Sequence, residues 1–186
     1  MDNQTTVAPS DPQRGTPGSS AAAVVRSEAA SPGATWEHAC VISVFTMFRR
    51  PVFRDPRAAH AVAAQLARTL PRDRAAWLAW VLMPDHWQGL LACGRDESLP
   101  ALVGRFKAMT TRAVDPRLRI NGWLWGRGHR HAPLAEQESL GDAARILVSA
   151  PRRAGLVDRV ADYPYWASAW DPRRYADEAE RDNGGA

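Results

Sequence analysis

Between Ala75 and Ala92 the chain reads AAWLAWVLM, then Pro-Asp, then HWQGLLA. Two apolar, aromatic-rich runs on either side of the short Pro84-Asp85 turn have the arrangement of a β-hairpin. A hairpin this apolar has to be covered by other elements, and the flanking sequence supplies them. His38 to Met47 (HACVISVFTM) is β-branched and aromatic without Gly or Pro, which predicts a strand buried on both faces. Asp55 to Leu70 has a proline in its first turn and Val62, Leu66 and Leu70 on one helical face, ending before Pro71. Ser98 to Val114 reads as an amphipathic helix with Leu99, Leu102, Val103, Phe106 and Met109 inward and Arg105, Lys107 and Arg112 toward solvent. Glu136 to Ala150 predicts a third helix, closed by Pro151. The order strand, helix, two strands, helix, later helix implies an α+β fold: a ferredoxin-like sandwich in which helices cover a mainly antiparallel sheet.

The flanks differ from this core. Residues 1–35 are rich in Ser, Thr, Pro, Gly and Ala with Val7, Val24 and Val25 as their only large aliphatics, the composition of a disordered leader. All eight Trp, four Phe and three Tyr lie between Trp36 and Tyr175, so the folded domain is expected over 36–170, with 171–186 a polar tail. Ala75 to Met83, the longest apolar stretch, is far short of the roughly 18 to 20 residues a membrane-spanning helix needs. The N-terminus lacks the basic region of a secretory signal. Cys40 and Cys93 form neither a CxxC pair nor a disulfide framework, and a reducing cytoplasmic location fits best.

Charge is concentrated in the domain. Residues 1–35 carry a net −1 and residues 171–186 a net −2, so 36–170 hold 19 basic and 12 acidic residues, a net of +7. A basic core between mildly acidic tails points to a polyanion, nucleic acid first, because phosphates attract fixed positive charge and release counterions on binding. Lys107 is the only lysine; the other 23 basic residues are arginine, whose planar fork suits phosphates and base edges.

Five segments in order carry a family resemblance: RRPVF (Arg49 to Phe53), WVLMPDHWQGLL (Trp80 to Leu91), RFK (Arg105 to Lys107), Trp125-Gly-Arg-Gly128, and PRRAGLV (Pro151 to Val157) followed by DYPYW (Asp162 to Trp166). Over about residues 36 to 170 the chain resembles the REP-associated tyrosine transposases, a branch of the HUH single-tyrosine transposases that acts on palindromic single-stranded DNA. In that family Met-Pro-Asn or Met-Pro-Asp precedes His, an apolar residue and a second His. His86 and Gln88, at i and i+2, face one side of a strand while Trp87 faces the other. The resemblance implies that they share a divalent metal, Mg²⁺ or Mn²⁺, which polarises a phosphate while a helix tyrosine attacks it. Gln88 stands where the family has His; its carbonyl is a hard oxygen ligand, as in the His-apolar-Gln arrangement of some rolling-circle replication proteins, so binding is weakened.

The nucleophile is the larger departure. Aligned on Pro151, the family's tyrosine falls on Ile146 and its following Asn on Ala150, and His131 stands near the place of an Asp that follows the Trp-x-Arg-Gly segment. Isoleucine has no atom that attacks phosphorus. Catalytic positions have changed while scaffold motifs remain, the pattern of a degenerate or repurposed transposase that binds single-stranded or hairpin DNA with impaired cleavage. Two other readings stay open: an active metal-dependent nuclease and strand transferase using a non-aligned tyrosine, and a non-enzymatic regulatory or interaction protein. Tyr163 and Tyr165 match the downstream Asp-Tyr-Pro segment and read as core, with a substitute nucleophile as the alternative. Arg49, Arg50, Arg105, Lys107, Arg112, Trp125, Arg127, Arg130, Arg152 and Arg153 are the candidate DNA contacts, with Trp123 and Trp125 offering stacking faces or core packing. His129 and His131 have spacing for zinc with His86 or Cys93, or simply face phosphate and water. The sequence leaves the oligomeric state open, and the resemblance to the REP-associated branch slightly favours a monomer.

Overall fold

The computed structural model describes residues 38–66, 75–93, 98–135 and 139–170. The expected leader (1–35) and tail (171–186) lie outside them, as does Leu70 at the expected end of the first helix. The elements are β1 (His38–Phe45), α1 (Pro56–Leu66), β2 (Ala75–Met83), β3 (His86–Cys93), α2 (Leu99–Ala113), β4 (Arg130–Pro133), α3 (Leu140–Val148), α4 (Ala150–Arg153) and β5 (Trp166–Ser168).

β2 and β3 close as expected, Met83 opposite His86 across the Pro84-Asp85 turn, with one register shift between Trp77 and Ala79. β1 pairs antiparallel with β3, β4 with the other edge of β1, and β5 with β2, giving the order β4-β1-β3-β2-β5. The first four strands have the ferredoxin-like order, and β5 extends it. β4 and β5 escape a reading by periodicity: Arg130–Pro133 is exposed throughout and Trp166–Ser168 is three residues long.

Alternation along the strands makes two layers. Ile42, Val44, Trp77, Trp80, Leu82, Trp87 and Leu91 join Val62 and Leu66 of α1 and Leu102, Val103 and Phe106 of α2 on one face. Leu78, Ala79, Val81, Met83, Leu90 and Ala92 meet Ala144, Leu147 and Val148 of α3 on the other. Each fully buried Val, Leu or Phe adds about 1.5–3 kcal/mol, so both layers stabilise the sheet they share. In the first layer five rings run in series, Trp77 to Trp87 (4.7 Å between centroids), Phe106 (4.6 Å), Trp125 (5.3 Å) and Phe53 (5.3 Å).

Helix ends follow local chemistry. Asp55 Oδ1 accepts from the backbone N–H groups of Arg57 (2.8 Å) and Ala58 (3.4 Å), fixing the start of α1. α3 begins after Ser139, and the chain turns at Ser149 rather than at Pro151. Pro151 does not close a helix but sits in the first turn of α4, where its missing N–H would have no partner anyway. Among the described residues no helix is long and apolar enough to cross a membrane.

Candidate nucleic-acid interface

The register of the three strands β4, β1 and β3 assembles the site. Ser43 lies opposite Gln88 on one side and Arg130 on the other, and Phe45 lies opposite His86. Directly opposed residues share a face, so Arg130, Ser43 and Gln88 form one row and Phe45 and His86 the next, all on the face that α3 covers further along. Burial of Trp87 in the other layer fixes which way its neighbours point: a slip of one residue would exchange His86 and Gln88 for the core ring.

Asp85, in the hairpin turn, ties this corner together. Its Oδ1 lies 2.6 Å from His86 Nδ1, and its Oδ2 accepts from Arg49 Nε at 2.9 Å. Burial opposes ionisation of Asp85, but the hydrogen bonds and charges of His86 and Arg49 outweigh it and hold the carboxyl below its ordinary pKa. An ionised carboxylate only accepts, so Nδ1 of His86 donates to it and Nε2 is the ring nitrogen left for another partner. Gln88 Nε2 makes a long contact, 3.4 Å, to Ser43 Oγ. One imidazole nitrogen and one amide oxygen on one sheet face fit a divalent cation as a partial ligand set.

Two guanidinium groups flank Phe45, Arg49 at 4.6 Å and Arg130 at 5.5 Å from the ring centroid, and the His86 ring lies 5.4 Å away. Beyond β1 the chain enters a 3-10 turn, Met47–Arg49, in which Phe48 (φ 55) and Arg49 (φ 54) both have left-handed backbone. Two consecutive non-glycine residues in this region cost of order 1–3 kcal/mol each and persist only where the surroundings impose them. Here Thr46, almost wholly buried, does so: its hydroxyl lies 2.7 Å from the Arg50 carbonyl and 2.9 Å from that of Asp85, and its N–H donates to the Asp85 carbonyl at 2.9 Å.

The remaining candidates divide. Arg50, Arg127, Arg152 and Arg153 are exposed, and Arg153 donates to the Ile146 carbonyl at 3.0 Å. Arg105, Lys107 and Arg112 are carried by α2, in the layer opposite His86 and Gln88. Lys107 does not reach solvent as expected: it is half-buried, and Nζ donates to the carbonyls of Gly126 (2.8 Å) and Gly128, because the loop folds back over α2. Trp125 is not a stacking face either. Only 2% exposed, it donates from Nε1 to Thr110 Oγ1 at 2.8 Å and fills the aromatic series; Trp123, two residues earlier, is 65% exposed. Ile146 is 55% exposed on α3, and Ala150 begins α4.

Neither described tyrosine faces this corner. Tyr163 donates its hydroxyl to the Leu82 carbonyl at 2.7 Å, and burial, with a smaller contribution from Tyr165, pushes its pKa up to about 12. The Tyr165 hydroxyl lies 3.1 Å from His60 Nδ1 of α1, on the other layer. The rings of His129 and His131 are 5.8 Å apart, but among the described residues no three His, Cys, Asp or Glu side chains converge on a metal position. Burial, then the charges of His131 and Lys107, lower the pKa of His129. Asp85, Ser43 and Phe45 are the contributors that motif reading overlooks. The available signals were a carboxylate directly before the histidine and a lone serine inside an apolar strand.

No family model and no curated protein sequence matches the chain. Among solved structures it is similar to a REP-associated tyrosine transposase bound to a REP hairpin, with a TM-score of 0.53 and 14% identity over 73% of this chain and 79% of that one. A candidate transposase from Deinococcus radiodurans also matches, with a TM-score of 0.43 and 20% identity over 57% of this chain and 85% of that one. The first of these likenesses shows that the fold is shared.

Proposed function

We propose that this chain is a DNA-binding protein of the REP-associated tyrosine transposase kind that engages hairpin-forming, partly single-stranded DNA and has lost most or all of its cleavage activity. The observation that carries the reading is the corner where Arg49 and Arg130 flank Phe45 beside His86 on a strongly basic domain. Its support is a fold shared with a protein whose structure holds a REP hairpin. Arg49 is oriented by its hydrogen bond to Asp85, which lowers the ordering cost of presenting its charge, and Arg130 lies over the Phe45 ring.

His86 Nε2 and the Gln88 amide oxygen would hold a divalent cation, which when bound would polarise a phosphate oxygen. Two protein ligands are few for an ion that takes about six, so binding in the absence of nucleic acid is weak. Asp85 holds the imidazole ring through Nδ1, and the strand pitch keeps both donors on one face.

Impaired cleavage rests on Ile146. The family's nucleophile position carries a hydrocarbon side chain, and the hydroxyls of Tyr163 and Tyr165 are engaged by Leu82 and His60. The test is incubation of the purified protein with labelled hairpin DNA and Mn²⁺ or Mg²⁺, read by mobility shift and by denaturing gel. A shift without a covalent adduct is expected, and Ile146→Tyr combined with Ala150→Asn should introduce an adduct. An adduct on the native chain that His86→Ala abolishes would overturn the loss of cleavage. A folded protein that leaves the DNA unshifted at moderate salt would overturn DNA binding and favour a non-enzymatic interaction role.

A further inference from the structure

From Gly126 to Pro133 no residue is buried, so core packing does not hold this stretch in place. Polar contacts do. Gly126 donates its N–H to the Phe45 carbonyl at 2.8 Å, and the carbonyls of Gly126 and Gly128 both accept from Lys107 Nζ, the first at 2.8 Å. A single side chain of α2 thus pins both ends of the loop 126–128, and Gly126 joins that loop to Phe45, whose ring Arg49 and Arg130 flank. Gly128 has φ 66, which glycine adopts without strain, and a Cβ there would meet nothing within 4 Å. The backbone shape of the loop calls for glycine; no neighbouring atom does.

This contact adds little to the core. Burial pushes the Lys107 ammonium below its ordinary pKa, and its partners are two neutral carbonyls on a loop that covers almost nothing. What it secures is Arg127, exposed between the two pinned carbonyls and without a partner among the described residues. Arg130 follows three residues later, over the Phe45 ring at 5.5 Å. A guanidinium carried by a loop that is already fixed loses less freedom on meeting a phosphate than one whose loop must first be ordered.

Resting on the DNA-binding reading above, we infer that Lys107 is a positioning residue: it locks the loop 126–128 so that Arg127 meets a DNA phosphate next to the Arg49–Arg130 corner, and it acts through Arg127 rather than by touching phosphate itself. The helix on one face of the sheet is thereby tied to the binding surface through backbone carbonyls alone. Two consequences follow. Lys107 and Arg127 form one unit, so removing either removes the same phosphate contact, and a change in loop shape that takes away no charge has the same effect.

Fluorescence anisotropy with a labelled hairpin DNA over a series of salt concentrations tests this, with circular dichroism to show that each variant is folded. Arg127→Ala should weaken binding about tenfold and reduce the slope of log K against log salt by about 0.9. Lys107→Met, which keeps the apolar stem and loses the ammonium, should do the same, and the double variant should be no weaker than either single one. Gly128→Ala removes no charge, yet by straining the left-handed position it should weaken binding severalfold and lower the slope in the same direction; because Gly128 is exposed, it carries the test even if Lys107→Met fails to fold. Additive losses, with the slope of the double variant reduced by about 1.8, would mean that Lys107 touches phosphate directly and would overturn the positioning role. So would native slopes in Arg127→Ala or native binding in Gly128→Ala, with DNA binding left intact. Native protein that does not bind the hairpin would overturn the DNA-binding reading itself.

Discussion

Gly89 is the position where core and site are most tightly coupled, and Gly89→Ala tests that coupling. The Trp87 ring folds over Gly89 on the core face: a Cβ there would lie 2.3 Å from Cη2, 2.4 Å from Cζ2 and 3.2 Å from Cζ3. Carbon atoms settle at about 3.5–4.0 Å, so the overlap is about 1 Å on two atoms. The ring has little room to swing, with Trp77 at 4.7 Å on one side and Phe106 at 4.6 Å on the other. Forced overpacking of this kind costs about 2–3 kcal/mol. At about 4 °C per kcal/mol for a domain of this size, the melting temperature should fall by about 10 °C by circular dichroism. Trp87→Phe removes the far edge of the ring, and with it an indole N–H that is buried without an acceptor. In that background Gly89→Ala should cost at least about 1 kcal/mol less, a positive coupling in a double-mutant cycle measured by urea unfolding. Additive losses, or a native melting temperature in Gly89→Ala alone, would refute the geometry. Because His86 and Gln88 flank Trp87, the same variant should weaken hairpin binding at temperatures where it is still folded.

Three further outcomes follow from single contacts. Thr110, fully buried, accepts from Trp125 Nε1 and donates to the Phe106 carbonyl at 2.7 Å, so Thr110→Val should cost about 1–3 kcal/mol in urea unfolding and Thr110→Ser much less; equal losses would show that the hydroxyl is not what matters. The pKa of Asp85 is lowered on folding, so the stability it adds is present above the ordinary carboxylate value of about 3.9 and is lost as pH falls through the lower folded value. Asp85→Asn should therefore lower the melting temperature at pH 7 by a small amount, with the gap to native protein closing toward pH 3, and a gap constant with pH would refute the assignment. Arg152→Ala with Arg153→Ala should weaken DNA binding across sequences and reduce the slope of log K against log salt by about 1.5, whereas an unchanged slope would remove both from the DNA face.

Elements with strong periodicity were readable in advance, and those defined only by their partners were not. The β2–β3 hairpin shows itself through two apolar runs and a two-residue turn, and α1 and α2 through their apolar stripes. β4 has the sequence RHAP and is exposed throughout; only its bonds to β1 make it a strand. The site divides the same way. His86 and Gln88 follow from strand alternation, but Trp123, which closes the Asn121-Gly122 turn, is exposed while Leu124 and Trp125 after it are both buried, a placement that no periodicity gives. That dipeptide is a hairpin signal and was the available clue. Lys107 was misplaced because helical spacing gives a direction on α2 and says nothing of the Gly126–Gly128 loop that arrives later in the chain to occupy it. Phe48 could not be found from pattern at all, since a left-handed aromatic residue after a strand has no periodicity.

The side chain at position 146 is separable from the fold. In α3 the packing face is Ala144, Leu147 and Val148, and Ile146 projects away from it with more than half its surface exposed. A tyrosine there would meet no core atom, and Ile and Tyr differ little in helix propensity. Ile146→Tyr should accordingly change stability by no more than about 0.5 kcal/mol, measured by urea unfolding. A loss above about 2 kcal/mol would mean that isoleucine packs against something that forbids a ring, and the aligned nucleophile position would then have to be sought elsewhere. With a neutral result, the present side chain reflects no demand of folding. The corner built by Arg49, Asp85 and His86 then keeps its geometry whichever side chain stands at position 146.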